Sequence, residues 1–179
     1  MSQLRIVGGQ WRSRRLRVAD LPGLRPTPDR VRETLFNWLG QDLDGWTCLD
    51  LFAGSGALGF EAASRGAAHV LLVERDPAAY AVLQQNARLL GGEALVCQRG
   101  DALRLVDTTP RRFDLILLDP PFRQQWLERL APKLERILAD DGFVYVEAEL
   151  PVETLGGLRA VKAGKAGQVH YQLLKRGDA

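Results

Sequence analysis

The chain has 179 residues, a formal net charge of +2 and 46% hydrophobic residues, a composition that predicts one globular domain with its own core. Its two cysteines, Cys48 and Cys97, lie in apolar runs. This favours core residues over a disulfide or a metal pair, so we expect no metal site and a reduced, cytoplasmic setting. The sequence has no signal-peptide pattern and no apolar run of membrane-spanning length, which predicts no membrane association.

Positive charge is concentrated near the N-terminus, where residues 1–37 contain eight arginines and three acidic residues. Two β-prone runs, Leu4–Val7 and Leu16–Val18, flank a glycine- and arginine-rich turn and predict a basic hairpin with Trp11 exposed near its tip. Such a hairpin suits contact with phosphates and stacking on bases, although a solvated edge hairpin explains the same pattern. The candidate RNA-binding residues are Arg5, Trp11, Arg12, Arg14, Arg15, Arg17, Arg25 and Arg30.

A proline-rich loop separates this hairpin from the first predicted helix. Thr27 followed by Pro28 is typical of a helix start, and apolar residues at helical spacing continue from there to Gly40. We therefore divide the chain into a basic N-terminal hairpin and loop, residues 1–26, and a main domain, residues 27–179.

The main domain is organised around the stretch Leu49–Gly66. An apolar strand, Thr47–Phe52, meets a glycine-rich turn, Ala53–Gly59, and then a helical run. Glycines spaced as G-x-G-x-x-G let the backbone approach a nucleotide-like ligand, which the free N–H groups of the helix start can face. The spacing alone also describes a dinucleotide-binding turn, but Asp50 adds an acid inside the buried strand, where it needs a partner.

Acidic residues also end the next two predicted strands. Glu74 follows the apolar run His69–Val73, and a carboxylate there suits ribose hydroxyls. Asp101 follows the strand Ala94–Cys97, where it can accept a hydrogen bond from an amine such as adenine N6. A helix N-cap is a second role for Asp101, compatible with the first.

The tetrapeptide Asp119–Phe122, DPPF, directly follows a fourth apolar strand, Phe113–Leu118. Its two prolines fix the backbone and remove two N–H donors, which leaves carbonyl groups free to accept hydrogen bonds. With the Asp119 carboxylate and the flat Phe122 ring, they suit a planar base that carries an exocyclic amine. A proline stop after the strand is the simpler alternative. The candidate catalytic residues are Asp119, Pro120, Pro121 and Phe122.

Strands and helices alternate from residue 47 onward. A long helix with Pro132 near a bend precedes a fifth strand, Phe143–Val146. The last two strands, Leu158–Val161 and Val169–Leu174, are too close for a crossover helix and must pair antiparallel. This order predicts an α/β fold, a doubly wound, mainly parallel seven-stranded sheet with an N-terminal β-hairpin extension.

The motifs LDLFAGSGALG, VERD, GD and DPPF, in this order, resemble those of class I S-adenosylmethionine-dependent methyltransferases with a Rossmann-like fold. The segments RIVGGQWRSRRL, GLRPTPDRVRETLFNWL and AGQVHYQLLKR further resemble the RsmD family, bacterial enzymes that methylate the N2 atom of a guanine in 16S, small-subunit ribosomal RNA. The resemblance implies S-adenosyl-L-methionine as cofactor and DPPF as the target-base site. The candidate cofactor-binding residues are Asp50, Phe52, Ala53, Gly54, Ser55, Gly56, Glu74, Arg75, Asp101, Ala102 and Asp119.

Within that set, the resemblance implies that Asp50, Gly54 and Gly56 line the methionine end of the cofactor, Glu74 the ribose and Asp101 the adenine. It also implies a ribosomal RNA partner within an assembling or assembled 30S particle, and we expect a monomer. An enzyme acting on adenine N6 or cytosine N4 is an alternative. A nicotinamide-dependent oxidoreductase leaves DPPF unexplained, and a non-catalytic RNA-binding protein is the third possibility.

Overall fold

A computed structural model describes residues 2–177 of the chain. Its strands are β1 (Gln3–Arg5), β2 (Arg15–Arg17), β3 (Thr47–Asp50), β4 (His69–Glu74), β5 (Leu95–Arg99), β6 (Phe113–Leu118), β7 (Leu138–Ala148), β8 (Thr154–Leu155), β9 (Leu158–Ala166) and β10 (Val169–Arg176). Its helices are α1 (Asp29–Trp38), α2 (Ala57–Ser64), α3 (Pro77–Leu90), α4 (Ala102–Thr108), α5 (Trp126–Leu130) and α6 (Leu134–Ile137). A 3₁₀ turn, Ala131–Lys133, separates α5 from α6 and contains Pro132, where a bend was predicted.

An eight-stranded sheet has the order β5-β4-β3-β6-β7-β10-β9-β8, and β1 pairs with β2 in a separate hairpin. The first five strands are parallel, and the last three run antiparallel to their neighbours. The predicted doubly wound, mainly parallel sheet and its antiparallel final pair are confirmed. The prediction of seven strands is one short, because β8 has only two residues and shows no readable alternation.

Helices cover both faces of the sheet and divide the core in two. The hairpin, α1, α2 and α3 pack on one face around Phe36, Phe60 and Tyr145. The helices α4, α5 and α6 pack on the other face around Phe113 and Trp126. Successive strand residues alternate between these two cores, which explains the continuous apolar runs of the central strands.

The N-terminal hairpin contributes to the first core. Leu4, Ile6 and Leu16 are at most 2% exposed. Trp11, predicted to be exposed for base stacking, is only 8% exposed, and an added Cβ at Gly92 would come within 2.8 Å of its ring. That prediction is wrong because the hairpin turn packs against the end of α3, where the indole is removed from water. The division at residues 26 and 27 stays a prediction.

Hydrogen bonds between the hairpin backbone and the side chain of Ser64, the last residue of α2, fix the hairpin turn. The Ser64 hydroxyl donates to the Gly8 carbonyl at 2.6 Å and accepts the Trp11 N–H at 3.0 Å. Gly9 has a φ of +77°, and an added Cβ there would lie 2.0 Å from the Ser64 carbonyl oxygen. Only glycine fits this turn, for both reasons.

A buried carboxylate, Glu61 of α2, joins this helix to the hairpin and to α1. Its side chain is 0% exposed. Its Oε1 accepts the Val7 N–H at 2.6 Å and Arg32 Nη1 of α1 at 2.8 Å, while its Oε2 accepts Arg65 Nε at 3.2 Å. Arg32 Nε also donates to the Thr27 carbonyl at 2.9 Å. This group, Glu61 with Arg32 and Arg65, is called the buried ion cluster below.

Three negative findings concern residues 2–177. No helix in that range is both long and apolar enough to cross a membrane. The range contains no group of three or more histidine, cysteine, aspartate or glutamate side chains that could hold a metal ion. Cys48 and Cys97 are free thiols, so neither forms a disulfide.

We expect the substitution Glu61→Gln to lower the free energy of unfolding by about 3–5 kcal/mol, because it leaves the buried Arg65 guanidinium without a carboxylate and leaves Arg32 only that of Asp29. Urea denaturation measures the change. Glu128→Gln, an exposed site on α5, is the matched control and should stay within about 0.5 kcal/mol of the wild type. A loss no larger than the control's would contradict the structural role of the cluster.

Candidate active site

Four acidic residues lie where neighbouring parallel strands end. They are Asp50 of β3, Glu74 of β4, Asp119 just after β6, and Glu147 of β7. Asp50 is in register with Leu117, and side chains two residues apart share a face, so Asp119 projects from the same face one step further along. The same reasoning applies to the other two, so the parallel sheet aligns four carboxyl groups at one edge.

Beside this edge lies a cavity of about 810 Å³. The glycine turn forms one side, the ends of β4 and β5 form the next, and the DPPF loop and residues 21–27 complete it. Predicted site residues in its lining are Arg25, Asp50, Phe52, Ala53, Gly54, Ser55, Glu74, Arg75, Asp101, Ala102, Asp119, Pro120, Pro121 and Phe122. The structure therefore brings the predicted cofactor residues and the predicted base-binding residues into one space.

The glycine turn faces the cavity through Gly54 and Ser55. The Gly54 N–H donates to Glu74 Oε2 at 3.1 Å, and the Arg75 N–H donates to Glu74 Oε1 at 3.1 Å. A carboxylate has about four lone-pair sites, so Glu74 can accept further hydrogen bonds from a ligand. Its position between the turn and the end of β4 is the one expected for a ribose-binding acid.

Gly56 and Gly59 have packing roles instead. Gly56, predicted to bind cofactor, is absent from the cavity lining; its φ is +86°, and an added Cβ would lie 2.3 Å from Phe60. An added Cβ at Gly59 would lie 2.7 Å from Leu72. The third motif glycine is therefore needed for close contact between α2 and the sheet.

Asp50 lies at the floor of the cavity and is 1% exposed. Its Oδ2 accepts the Gly59 N–H at 3.0 Å. Burial raises the pKa of Asp50 to about 7; the Gly59 hydrogen bond opposes the shift, and the charges of Glu74 and Glu147 add to it. Asp50 therefore holds the turn against β3 and adds to the negative field beneath the ligand space.

Asp101 caps α4 by accepting the Arg104 N–H at 3.0 Å, so its alternative role as an N-cap is confirmed. It also lines the cavity beside Gly100 and Ala102. An added Cβ at Gly100 would meet nothing within 4 Å, so there is open space beside the Asp101 carboxylate for a ligand.

The DPPF loop forms the opposite wall. Phe122 is 44% exposed, whereas Asp119 is half-buried beside Glu147. Burial raises the pKa of Asp119 well above its ordinary value, and the neighbouring Glu147 carboxyl adds to the shift. Arg123 and Gln125 have φ values of +63° and +57°, a left-handed backbone that stores about 1–3 kcal/mol of strain at each non-glycine residue.

Sequence reasoning missed several residues of this cavity. Trp126 begins α5 and contacts Phe52 edge to face, with ring centroids 5.2 Å apart. Leu24 lies over the turn, since an added Cβ at Gly54 would come 3.0 Å from its Cδ1. The sequence does contain a signal for Leu24, the segment LPGL, in which two leucines flank a Pro-Gly turn. Apolar side chains in such a loop indicate that it covers an apolar surface.

The predicted RNA-binding arginines are exposed but lie in two places. Arg25 lines the cavity, whereas Arg30 is on α1 outside the lining. Arg12 and Arg14 are on the hairpin turn, which packs at the far end of α3, where Arg14 donates to the Leu89 carbonyl at 3.3 Å. The 14 residues of α3 span about 21 Å. Its first residue, Pro77, lines the cavity, and its other end contacts the hairpin turn.

Two further arginines already have protein partners. Arg5 forms an ion pair with Asp29 at 2.7 Å, and Arg17 donates to Gln85 Oε1 at 3.0 Å. Both side chains are exposed, so these surface contacts are weak and leave the arginines available to phosphates.

A family model described as conserved hypothetical protein 95 matches residues 4–175. Ribosomal RNA small subunit methyltransferase D of Escherichia coli (strain K12) is 46% identical over 184 residues, which cover 97% of this chain and 90% of that protein. The protein of the same name from Haemophilus influenzae is 39% identical over 180 residues, with 96% and 93% covered.

Solved structures are similar over the same extent. The Escherichia coli protein yhhF has a TM-score of 0.88 at 43% identity and covers 98% of both chains. A Haemophilus influenzae protein has a TM-score of 0.83 at 34% identity and covers 99% of this chain and all of its own. The predicted Rossmann-like methyltransferase fold is thus confirmed, and the chain belongs to the conserved hypothetical protein 95 family, the RsmD family that its motifs resemble.

Proposed function

We propose that this protein transfers a methyl group from S-adenosylmethionine to the exocyclic N2 amine of a guanine in small-subunit ribosomal RNA. One observation supports this most strongly: a single cavity joins Glu74 and Asp101 to the DPPF loop. Glu74 suits a ribose and Asp101 an adenine. Both therefore lie in the same cavity as the DPPF loop, which suits a planar base that carries an amine. Family membership and the names of the relatives support ribosomal RNA as the substrate.

The charge of the cavity favours S-adenosylmethionine over a dinucleotide. Its lining contains five acidic residues and two arginines, Arg25 and Arg75. S-adenosylmethionine carries a sulfonium cation, which such a lining attracts, whereas the pyrophosphate of a nicotinamide cofactor would be repelled. The volume of about 810 Å³ also lies within the usual range of small-molecule sites, about 300–1,000 Å³.

At the base site, Asp119 and the Pro120 carbonyl accept hydrogens of the guanine amine, and Phe122 stacks on the ring. An amine conjugated to the ring is a poor nucleophile, and these acceptors favour a pyramidal nitrogen with an available lone pair. S-adenosylmethionine supplies a methyl group that its sulfonium charge already activates. The protein therefore contributes placement and acceptors that act most strongly in the transition state.

The substrate base must enter a partly open site. Phe122 is 44% exposed and can receive a base that is flipped out of its own stack. We propose that a monomer acts on ribosomal RNA within an assembling or assembled 30S particle. The arginines of the protein that contact this RNA lie at the cavity mouth and along the hairpin.

Mass mapping tests the reaction. Purified 30S particles from a strain lacking the gene are incubated with the protein and labelled S-adenosylmethionine, and we expect label on one guanine N2. Thermal melting is the companion test, since S-adenosylmethionine but not NAD should raise the melting temperature. Label on adenine N6 or cytosine N4 would refute the guanine assignment.

We expect Glu74→Ala to weaken S-adenosylmethionine binding at least about tenfold, because hydrogen bonds to a charged acceptor are worth about 1.5–3 kcal/mol. Calorimetry measures the affinity. Glu128→Ala, exposed on α5, should bind as the wild type does. Unchanged affinity in the Glu74 variant would remove this residue from the cofactor site.

A triple variant in which Arg12, Arg14 and Arg15 are all changed to alanine should bind RNA more weakly. The slope of log affinity against log salt concentration should also become shallower, by about 0.7–0.9 for each phosphate contact that is lost. Filter binding at several salt concentrations measures both quantities. The matched control replaces Arg104 of α4 and, in the loop that follows this helix, Arg111 and Arg112. All three are exposed. Equal effects in the two triple variants would show that only total charge matters.

We expect Asp119→Ala to lower single-turnover methyl transfer about 100- to 1000-fold, the usual effect of removing one such electrostatic partner, with cofactor affinity unchanged. Saturating cofactor and RNA isolate the chemical step. Asp141→Ala, an exposed control, should keep full activity. A fully active Asp119 variant would remove the DPPF acid from the mechanism.

A further inference from the structure

Glu147 is a buried acid with no role in the methyl transfer proposed above. It lies near the carboxyl end of β7 and is 7% exposed. It is not among the residues that line the cavity. Among residues 2–177, no arginine, lysine or histidine forms an ion pair with it or with Asp119.

The parallel register places Glu147 beside Asp119. Leu117 is paired with Tyr145, so the residues two positions further along, Asp119 and Glu147, are neighbours on the same face of the sheet. The Glu147 carboxyl is close enough to act on Asp119 and helps to raise its pKa. Two adjacent carboxylates, one buried and one half-buried, cannot both be charged without a large electrostatic penalty, so such a pair holds one proton.

Tyr145 determines which side of Glu147 remains an acceptor. Its hydroxyl donates to Glu147 Oε1 at 2.7 Å, and the ring is 0% exposed. Burial and the neighbouring Glu147 carboxyl raise the pKa of Tyr145, so it keeps its proton and stays a donor. On the other sides, Tyr171 of β10 is in register with Glu147, and Asp50 of β3 adds negative charge.

We propose that Glu147 is a positioning residue that shares one proton with Asp119 and receives it when Asp119 takes a proton from the methylated amine. This role rests on the proposed methyl transfer. In the resting pair, Asp119 donates its proton to Glu147, and its second oxygen accepts from the guanine amine. Glu147 thereby fixes the orientation of that second oxygen.

The protons balance in this scheme. The amine lone pair forms the new N–C bond, and the C–S bond breaks with its electrons remaining on sulfur, which becomes neutral. The nitrogen is then cationic and loses one proton to the free oxygen of Asp119. Asp119 passes its original proton to Glu147, and the pair goes from one negative charge to none.

The test follows the Asp119 carboxyl by ¹³C NMR titration in the protein without substrate, comparing the wild type with Glu147→Gln. We expect the pKa of Asp119 to fall by at least about one unit in the variant, because the neighbouring charge is gone. An unchanged titration overturns the proposal. This measurement needs no methyl transfer, so it is independent of whether the proposed function holds.

The kinetic readout uses the same variant. We expect kcat for methyl transfer to fall about 100-fold, in the range of a lost proton-transfer partner, with KM for RNA unchanged. Glu149→Gln is the matched control: it removes the same charge two residues further along, where the acid pairs with Arg123 at 3.6 Å, and should change neither readout. A fully active Glu147→Gln enzyme overturns the proton role.

A second variant protects the test against a folding defect. Glu147→Asp keeps the charge but draws the carboxyl back by one methylene, so both readouts should move in the same directions by smaller amounts. If the folded Asp variant has the wild-type Asp119 titration and kcat, the proposal is refuted.

Discussion

The buried ion cluster is the contact on which the helical layer depends. Glu61 is 0% exposed between two guanidinium groups and a backbone N–H, and a buried charge of this kind is tolerated only when all its partners are in place. It therefore permits one arrangement of hairpin, α1 and α2. The segment that connects the hairpin to α1 includes Leu24, which lies over Gly54 of the glycine turn. The glycine-turn side of the cavity is thus positioned by charges that lie outside the cavity.

A second constraint is the negative charge that the parallel register gathers at one edge. Burial raises the pKa of Asp50 to about 7 and that of Asp119 above its ordinary value. These pKa values are higher in the folded protein than in the unfolded chain. The folded state therefore holds more protons than the unfolded state between about pH 4 and 7, and the free energy of unfolding declines as pH rises through this range. A cationic ligand relieves the same repulsion. The edge is therefore less stable empty than when it holds a cation, which agrees with the sulfonium ligand proposed above.

Local signals explain why most of the fold and half of the site were predictable. Each strand is followed directly in the sequence by its glycine turn or its acidic residue. A parallel sheet brings the carboxyl ends of its strands together, irrespective of the loop conformations. Long-range partners left no local signal. Arg30 and Arg32 are equivalent in the sequence, yet Arg30 is exposed, and Arg32 is buried against Glu61, which is 29 residues away. Trp11 was misjudged for the same reason, because its N–H is bound by Ser64, 53 residues away. Glu147 was left unassigned because its neighbour Asp119 lies on another strand.

The two halves of the cavity differ in how firmly they are held. The glycine turn is fixed by hydrogen bonds to Glu74 and Asp50, whereas the loop after Asp119 carries two strained residues and an exposed Phe122. In the proposed reaction the cofactor needs a preformed site, but a guanine must leave its own stack before it reaches Phe122, at a cost of a few kcal/mol. The proposed RNA contacts at the hairpin turn, at the far end of α3, would supply that energy without touching the base. Binding energy from remote parts of a substrate then lowers the barrier at the reacting amine, and a loop that is not rigidly held can adjust to the base once it arrives.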